Sequence, residues 1–198
     1  MTELVSGWLC LEFANTVDNY RRPEPYDFLP DFDALVDFCQ RSDALTRTEA
    51  EAQKHSAKRQ PASGAACLDR AKSLRGTMYA IFSALAGGDE PSQAALEVLN
   101  ALQAEAAGHA RILRSGAQFQ WAWDSSGAEP DRLLWPIVRS AALLLTSPEL
   151  KRLRQCDGHN CTWLFLDKSK NRSRRWCTMD ICGNRAKSRR HYARTRIA

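Results

Sequence analysis

The chain has 198 residues, a net charge of +5, 44% hydrophobic residues and 26% charged residues, which suits one medium-sized domain with a smaller one appended. Its longest strongly apolar run, residues 141–145, is too short to cross a bilayer, and its first residues lack the features of a signal peptide. We therefore expect a cytoplasmic protein and not a membrane or secreted one.

The charges are divided unequally along the sequence. Residues 151–198 contain fourteen Lys and Arg against three Asp, a net charge of +11, so the first 150 residues carry −6. An acidic body followed by a basic segment indicates that the segment, and not the body, meets a polyanion. We accordingly divide the chain into a body, residues 1–150, and a C-terminal segment, residues 151–198.

Apolar residues at helical spacing predict a mostly α-helical body. We expect a first short helix within residues 4–20, although the alternation of Leu9, Leu11 and Phe13 also permits a strand. A proline-rich loop follows over residues 21–30. Later helices are expected to start at Asp31 or Asp33, at Thr46 or Thr48, after an interruption at residues 61–64, at Pro91 and at Pro130.

Residues 110–124 alternate with a period of two and predict a β-hairpin around a Ser-Gly turn. Phe119, Trp121 and Trp123 then fall on one face of the hairpin. We favour a place for these aromatic side chains in the core of the body. The alternative is that the hairpin roofs a binding site for a small molecule.

Two polar residues of the body are further candidates for such a site. Asn15 could line a pocket or bond to a neighbouring helix end, and we favour the structural role. Arg139 lies among apolar residues, so its guanidinium must find a partner or reach water. We favour a brace with Glu12 or Asp18 over an anionic ligand. The candidate pocket residues are therefore Asn15, Trp121 and Arg139.

Nothing in the sequence specifically indicates an enzyme. Cys10, Cys39 and Cys67 lie in apolar helical surroundings and fit small buried hydrophobes. A phosphate-cradling glycine loop, a nucleophile elbow and a zinc-hydrolase helix are all missing from the sequence. A thiol nucleophile also needs a base, and none of the four histidines stands in a recognisable hydrolase motif. We expect no catalytic residues.

The other four cysteines form two pairs, Cys156 with Cys161 and Cys177 with Cys182, and each pair encloses four residues. Two short, turn-forming pairs suit a tetrahedral zinc site, and four thiolates leave no open position for water. We predict one structural zinc ion on these four residues. His159 lies inside the first loop and is not needed as a ligand.

The sequence between and after the pairs predicts the shape of this segment. An apolar strand from Thr162, a polar turn and a short basic strand at residues 174–176 form a predicted hairpin, and the second pair opens a helix. Knuckle, hairpin and helix give a treble-clef-like order. Because residues 149–155 are only a short helical lead, we expect finger and body to pack together. The body has the larger apolar inventory and is expected to stay folded without zinc.

These residues also resemble a known family. The run C-x4-C-x-W-L-F-L-D followed by R-R-W-C-x-M-x-x-C-G-N-R-A-K resembles the CGNR zinc finger, whose name-giving residues stand at 182–185. Such a finger usually follows an ABATE domain, which residues 11–17 and the run Val-Arg-Ser-Ala-Ala at 138–142 resemble. The resemblance implies a stress-induced transcription regulator that binds zinc and a nucleic acid.

Basic side chains of the C-terminal segment are the candidates for that nucleic-acid contact. At about 100° per residue, Arg185 and Arg189 share one strip of the predicted helix with Tyr192, and Lys187 and Arg190 line another. Guanidinium groups suit phosphate contacts and guanine readout. The alternative is that these side chains pack on the acidic body. The candidate nucleic-acid-binding residues are Arg174, Arg175, Arg185, Lys187, Arg189, Arg190, Arg194 and Arg196.

Together, these patterns predict a mostly α protein with a small β-hairpin, in which a helical N-terminal domain carries a treble-clef-like zinc finger. We expect it to bind DNA as a transcription regulator, with the N-terminal domain as a sensor of a small-molecule effector or as the unit of a homodimer. Two alternatives stay open. One is a zinc-stabilised module that binds RNA or protein, and the other is a small-molecule- or redox-responsive protein whose finger is only structural.

Overall fold

The computed structural model describes residues 6–124 and 129–195, without the side chains of His191 and Arg194. Its helices are α1 (Leu9–Ala14), α2 (Phe32–Arg41), α3 (Arg47–Arg59), α4 (Pro61–Gly87), α5 (Gln93–His109), α6 (Trp135–Leu145) and α7 (Asn184–Thr195). Strands β1 (Ala110–Ser115) and β2 (Gln118–Trp123) pair antiparallel, as do β3 (Leu153–Gln155) and β4 (Leu164–Leu166). The predicted mostly α class is confirmed. Within the described ranges, no helix combines the length and apolar character needed to cross a membrane.

Local capping determines where the helices begin and end. The Asp31 side chain accepts a hydrogen bond from the N–H of Ala34 and starts α2. Thr46 and Glu49 form a reciprocal capping box that starts α3. Gly88, with φ of +88°, takes the left-handed conformation that ends α4. The starts of α2 and α3 are among those predicted from the sequence.

The prediction of an interruption at residues 61–64 is wrong, because these residues begin α4 and only Gln60 separates α3 from α4. Pro61 occupies the first turn of α4, where its missing N–H leaves no hydrogen bond unmade. Gly64 lies inside the helix. A Cβ there would lie 3.2 Å from the Cβ of Ala57 and 3.4 Å from the ring of Phe32. Glycine therefore permits the close approach of α4 to α2 and α3.

The core is built around α1, so the helical alternative for this segment is the correct one. Although only six residues long, α1 buries Cys10, Leu11, Phe13 and Ala14 completely and packs against α4 and α6. A helix this short is unstable alone in water, so tertiary contacts hold it. The same hydrophobic cluster contains side chains from α4 and α6, among them Leu74, Met78, Ile81, Phe82, Ile137, Val138, Ala141 and Leu144.

The finger shares this core. β3 and β4 pair with Leu153 opposite Leu166 and Gln155 opposite Leu164, and the first cysteine pair lies in the turn between the two strands. Leu153, Leu164 and Leu166 belong to the hydrophobic cluster of the body. The helical lead into the finger is a 3-10 helix, Pro148–Arg152, followed directly by β3. Finger and body therefore pack together, as expected.

Residues 174–176 do not form the second strand predicted for the finger hairpin. The N–H of Arg174 donates to the carboxylate of Asp167 at 2.9 Å, and the carbonyl of Arg175 accepts from the N–H of Asp157 at 2.9 Å. These bonds tie the segment to two loops instead of to β4. The partner of β4 is β3, which precedes the first zinc ligand.

Asn15 fastens the end of α1 to the finger. Its Nδ2 donates to the carbonyl of Leu164 at 2.8 Å, and its Oδ1 accepts from the N–H of Leu164 at 2.8 Å. Asn15 is 5% exposed, so both backbone groups of Leu164 are paired away from water. The favoured structural role is thus the one observed. The partner, however, is a strand and not a helix end, and the amide is not available to a pocket.

Three further hydrogen bonds continue this junction. The hydroxyl of Thr162 accepts from the N–H of Tyr20 at 3.0 Å, and the indole of Trp163 donates to the carbonyl of Val17 at 2.9 Å. From β3, the side chain of Gln155 donates to the hydroxyl of Tyr79 at 2.7 Å. The finger is therefore bonded to α4 and to the loop after α1.

A buried arginine holds that same loop against α4. Arg75, 5% exposed, donates to both carboxylate oxygens of Asp27 at 2.6 and 2.7 Å and to the hydroxyl of Thr16 at 3.0 Å. Burial opposes ionisation of Asp27, but the hydrogen bonds from Arg75 outweigh it and lower the pKa of that carboxyl. Helical periodicity places Arg75 in α4 but does not identify its partner.

Asn15→Ala is expected to lower the free energy of unfolding, because it leaves two buried backbone groups of Leu164 without partners. The expected loss is about 1 to 3 kcal/mol for each group. Urea unfolding followed by circular dichroism measures it. Gln118→Ala, at an exposed position of β2, is the control and should change stability by less than about 0.5 kcal/mol. Equal stabilities for the two variants would contradict the proposed role of Asn15.

The Asp27–Arg75 pair is expected to make stability depend on pH. Because folding lowers the pKa of Asp27, the unfolded chain binds more protons than the folded chain as the pH falls below about 4. The stabilisation is present above that range and is lost as the pH falls through the lowered pKa. The stability difference between wild type and Asp27→Asn should therefore narrow on acidification.

Chemical denaturation of both proteins over a series of pH values measures this difference. Taking the difference cancels the zinc loss that acid also causes, because both proteins carry the same four cysteines. A difference that stays constant from neutral to acidic pH would show that the pair does not contribute through ionisation of Asp27.

Candidate metal centre and basic surface

Four buried cysteines converge in the finger. Their sulfur atoms all lie within 4.8 Å of one another, with those of Cys161 and Cys177 3.8 Å apart and those of Cys177 and Cys182 3.6 Å apart. Sulfur atoms at about 2.3 Å from a tetrahedral zinc ion lie about 3.8 Å from each other. The four residues, Cys156, Cys161, Cys177 and Cys182, therefore have the dimensions of a zinc site.

The ionisation of these thiols also calls for a cation. Hydrogen bonds from the thiol of Cys161, the thiol and N–H of Cys177, and the N–H of Gly158 lower the pKa of Cys156. The interaction with the Cys156 sulfur raises the pKa values of Cys161 and Cys177 in turn, and burial raises that of Cys182. Only a bound cation allows all four to ionise. The site fits one structural zinc ion, with no position left for water.

Gly158 allows the first pair of ligands to approach the others. A Cβ at this position would lie 3.1 Å from the Cβ of Cys161 and 3.2 Å from the sulfur of Cys182. The N–H of Gly158 also donates to the sulfur of Cys156 at 3.4 Å. A side chain here would push the ligands apart. His159, next in the loop, is exposed and is not one of the four donors.

Arg174 and Arg175 have partners inside the finger. The guanidinium of Arg174 donates to the carbonyls of Trp176 and Cys177 and lies 4.6 Å from the ring centroid of Phe165. Arg174, a candidate nucleic-acid-binding residue, therefore orders the backbone at the zinc ligand Cys177. The side chain of Arg175 is 64% exposed and pairs with Asp157 at 2.7 Å.

The remaining basic candidates lie on α7. Arg185, Lys187, Arg189 and Arg190 are exposed, and none of them forms an ion pair with a carboxylate in the part of the chain that the structure describes. In the described residues, no contact therefore supports the alternative that these four side chains neutralise the acidic body. The side chain of Arg194 and the whole of Arg196 lie outside the described residues.

A cleft of about 480 Å³ lies beside the zinc site, between the finger and the body. Its walls come from α7, the π-helical turn before it and the loop after α1, and include Ile181, Arg185, Arg189, Phe28, Asp18 and Arg22. Phe28 is 44% exposed and Ile181 is 50% exposed. Sequence reasoning missed this cleft because its walls are far apart along the chain.

The aromatic face of the β1–β2 hairpin is largely exposed, so the core placement favoured from the sequence is wrong. Phe119 is 74% exposed and Trp121 is 58% exposed. Trp123, at the base of the hairpin, is half-buried against Trp135, with their ring centroids 5.8 Å apart. The hairpin itself forms as predicted. Its outer part extends beyond the helices that cover its base.

Arg139 does not brace the N-terminal segment, and that prediction is wrong. Glu12 accepts hydrogen bonds from Ser6, and Asp18 pairs with Arg22 at 2.7 Å. The guanidinium carbon of Arg139 lies 3.6 Å from the ring centroid of Trp121. Arg139 and Trp121 line one cavity under the hairpin, and Asn15 is not part of it.

The three remaining cysteines are fully buried, as predicted for small hydrophobes. Burial raises the pKa of Cys10, Cys39 and Cys67 to about 12 in each case. Since the thiolate is the reactive form of cysteine, these residues are unreactive at neutral pH. They therefore give no support to a redox-responsive function.

Comparison with protein families assigns both parts of the chain. Residues 7–148 match the model of ABATE, described as "Putative stress-induced transcription regulator", and residues 152–195 match the model of the CGNR zinc finger. No curated protein is significantly similar in sequence. The matches confirm the resemblance inferred from residues 11–17, residues 138–142 and the cysteine segment.

Cys177→Ser is expected to abolish zinc binding, because a serine hydroxyl does not replace the thiolate and only three thiolate ligands remain. Elemental analysis should find one zinc per wild-type chain and none in the variant. Because Leu153, Leu164 and Leu166 lie in the main core, metal loss is also expected to lower the thermal midpoint of the body. The sequence alone, in which the body has more apolar residues than the finger, led to the different expectation that the body stays folded without zinc.

Cys39→Ala, which removes a thiol outside the site, is the control and should retain one zinc per chain. Stoichiometric zinc in Cys177→Ser would contradict the assignment of the ligands. A body whose melting is unaffected by chelation would contradict the coupling between finger and core.

Proposed function

Because this chain belongs to the ABATE family, which is described as "Putative stress-induced transcription regulator", and carries a CGNR zinc finger, we propose that it regulates transcription by binding duplex DNA through the finger and α7. In this proposal the N-terminal domain acts as a sensor or as a dimerisation unit. The protein acts in the cytoplasm, where zinc-bound thiolates are kept reduced, and has no catalytic activity.

The observation that carries the proposal is the exposed charge of α7. Arg185, Lys187, Arg189 and Arg190 face solvent and have no carboxylate partner among the described residues. When a basic side chain contacts a DNA phosphate, it releases a counterion condensed there. That release contributes favourable free energy to binding at each contact. Arg174 is excluded from this set because its Nε and Nη2 donate to backbone carbonyls of the finger.

The positions of these basic side chains on α7 favour binding of the helix in a groove of DNA. At about 100° per residue, Arg185 and Arg189 project on one side of α7, whereas Lys187 and Arg190 project on the other. A helix in the major groove of DNA has a phosphate backbone on each side, so cations on both sides can make contact. The twelve residues of α7 span about 18 Å, which exceeds the groove width of about 12 Å.

The zinc site fixes the direction in which α7 leaves the finger. Cys182 lies in the π-helical turn Met179–Gly183, which runs directly into Asn184 at the start of α7. The Asn184 side chain donates to the carbonyl of Asp180 at 3.1 Å and ties the first turn of the helix to this segment. A helix attached to a rigid centre keeps its orientation when it enters a groove, which lowers the entropic cost of binding.

The alternative of an RNA-binding module is less well supported. The major groove of an A-form RNA duplex is too deep and narrow for side chains to read. Sequence-specific RNA modules instead stack unpaired bases on aromatic side chains. The exposed aromatic residues Phe119 and Trp121 lie on the hairpin of the body, away from the cations of α7. The only Phe, Tyr or Trp in α7 itself is Tyr192, and a single aromatic residue is a small stacking surface. Duplex DNA is therefore the partner proposed.

Arg189→Ala and Arg190→Ala are each expected to lower the salt slope of DNA binding by about one unit, because each removes one phosphate contact. Affinity should fall for all duplex sequences alike. Fluorescence anisotropy with labelled duplexes over a range of salt concentrations measures both quantities. Arg114→Ala removes an exposed arginine from β1 and is the control, with an unchanged slope.

Thermal unfolding of the same variants tests the rival role of α7. If the arginines neutralise the acidic body, the substitutions lower the melting temperature and leave DNA affinity unchanged, and the proposal fails. Tighter binding to single-stranded RNA than to duplex DNA would replace it with the RNA-binding function.

A further inference from the structure

A cavity of about 430 Å³ lies under the base of the β1–β2 hairpin. Trp121 and Trp123 of β2 and Ala110 of β1 form its roof, while side chains of α5 and α6 form the remaining walls. Arg139, Ala142 and Leu143 of α6 and Thr146, directly after it, follow helical spacing and therefore share one face. The volume falls within the range of about 300–1,000 Å³ that is typical of small-molecule sites.

We propose that this cavity binds a small aromatic carboxylate, whose carboxylate pairs with Arg139 and whose ring packs against the tryptophan roof. The inference deepens the sensor role of the N-terminal domain, and its regulatory meaning rests on the function proposed above. The binding itself is independent of DNA and can be measured without it.

Arg139 provides the reason for an anionic ligand. Its guanidinium has no carboxylate or other hydrogen-bond partner among the residues described, and it lies 3.6 Å from the ring centroid of Trp121. Burial without a counter-charge lowers the pKa of Arg139, so a ligand that supplies the counter-charge is favoured. A guanidinium that is stacked through its face keeps its edge N–H groups free for bidentate binding of a carboxylate.

The rest of the lining favours an aromatic ring over a purely polar anion. Trp123 is held against Trp135, which in turn stacks on His109 with ring centroids 4.0 Å apart. The roof is thus anchored at its base before any ligand arrives. Small side chains at Ala107 and Ala142 leave the space below it. A phosphate-like dianion fits less well, because Arg139 is the one basic side chain among the described residues that line the cavity and most of the other lining side chains are apolar.

A buried amide oxygen adds a second requirement. Buried amide oxygens normally receive a hydrogen bond, yet Oε1 of Gln103, a residue that lines the cavity, has no partner in the described structure. A hydroxyl or amino group on the ring of the ligand would supply the missing donor. The preferred class is therefore a hydroxy- or amino-substituted aromatic carboxylate, for which salicylate and anthranilate are simple probes.

Isothermal titration of the zinc-loaded full chain with salicylate and with anthranilate tests the proposal. We expect saturable binding with one site per chain. Arg139→Gln should weaken it at least tenfold, because the carboxylate loses its partner. Ala107→Leu keeps Arg139 but takes up part of the cavity, and it should also weaken binding at least tenfold. Arg114→Gln removes a charge from the same hairpin outside the cavity and should leave affinity unchanged.

The outcomes that overturn the proposal are distinct from those that concern DNA. Absence of saturable binding for both probes at millimolar concentration, or equal affinity in wild type, Arg139→Gln and Ala107→Leu, defeats it. Circular dichroism shows whether each variant is folded, and Ala107→Leu serves as the decisive variant if Arg139→Gln is not. A chain that binds the probes but no duplex retains this site and loses the function proposed above.

Discussion

Four sulfur atoms within 4.8 Å of one another can all be ionised only when a cation lies among them, and the form of the C-terminal segment follows from that constraint. The ion joins the turn between β3 and β4 to the π-helical turn that starts α7. Four thiolates around Zn²⁺ leave a net charge of −2 at the start of α7, where the positive end of the helix dipole stabilises it. The exposed cations of α7 begin only after this centre, at Arg185.

The proposed DNA-binding surface of α7 and the proposed ligand cavity under the hairpin are connected through packed elements and buried hydrogen bonds. Arg139 adjoins Ser140, whose hydroxyl accepts from the N–H of Cys10 in α1 at 3.1 Å. Asn15, directly after α1, bonds to both backbone groups of Leu164 in β4, and β4 leads back to the zinc ligands. If a ligand in the cavity changes the affinity for DNA, then DNA must change the affinity for the ligand by the same factor.

Local chemistry could be predicted from the sequence, whereas partners across the chain could not. Spacing alone identified the four zinc ligands, and capping residues such as Thr46 marked helix starts, because these signals lie within a few residues of one another. The partner of Asn15 lies 149 residues away, and no pattern in either segment points to the other. The partner of β4 was misassigned to residues 174–176 because an apolar strand is visible in the sequence, whereas the strand with which it pairs is not.

Contacts between distant parts of the chain also account for the two wrong predictions about the aromatic side chains of the hairpin and the partner of Arg139. Period-two alternation predicted β1 and β2 correctly, but it does not say how far a hairpin extends past the helices beneath it. Aromatic residues in such a pattern usually pack in a core, and here Phe119 and Trp121 do not. Arg139 was assigned a carboxylate partner because charge balance is the common solution for a half-buried guanidinium. The structure instead places it against an aromatic ring.

The bond between Asn15 and Leu164 also bears on how the protein is made. At about 5–20 residues per second, synthesis of the 149 residues that separate them takes roughly 7 to 30 s. During that time α1 has emerged from the ribosome, yet the strand that covers its end does not exist. The nascent body must therefore wait, with part of its apolar surface uncovered, until β3 and β4 of the finger have been synthesised. The last quarter of the chain thus determines when folding can finish, and chaperones would find their substrate in this interval.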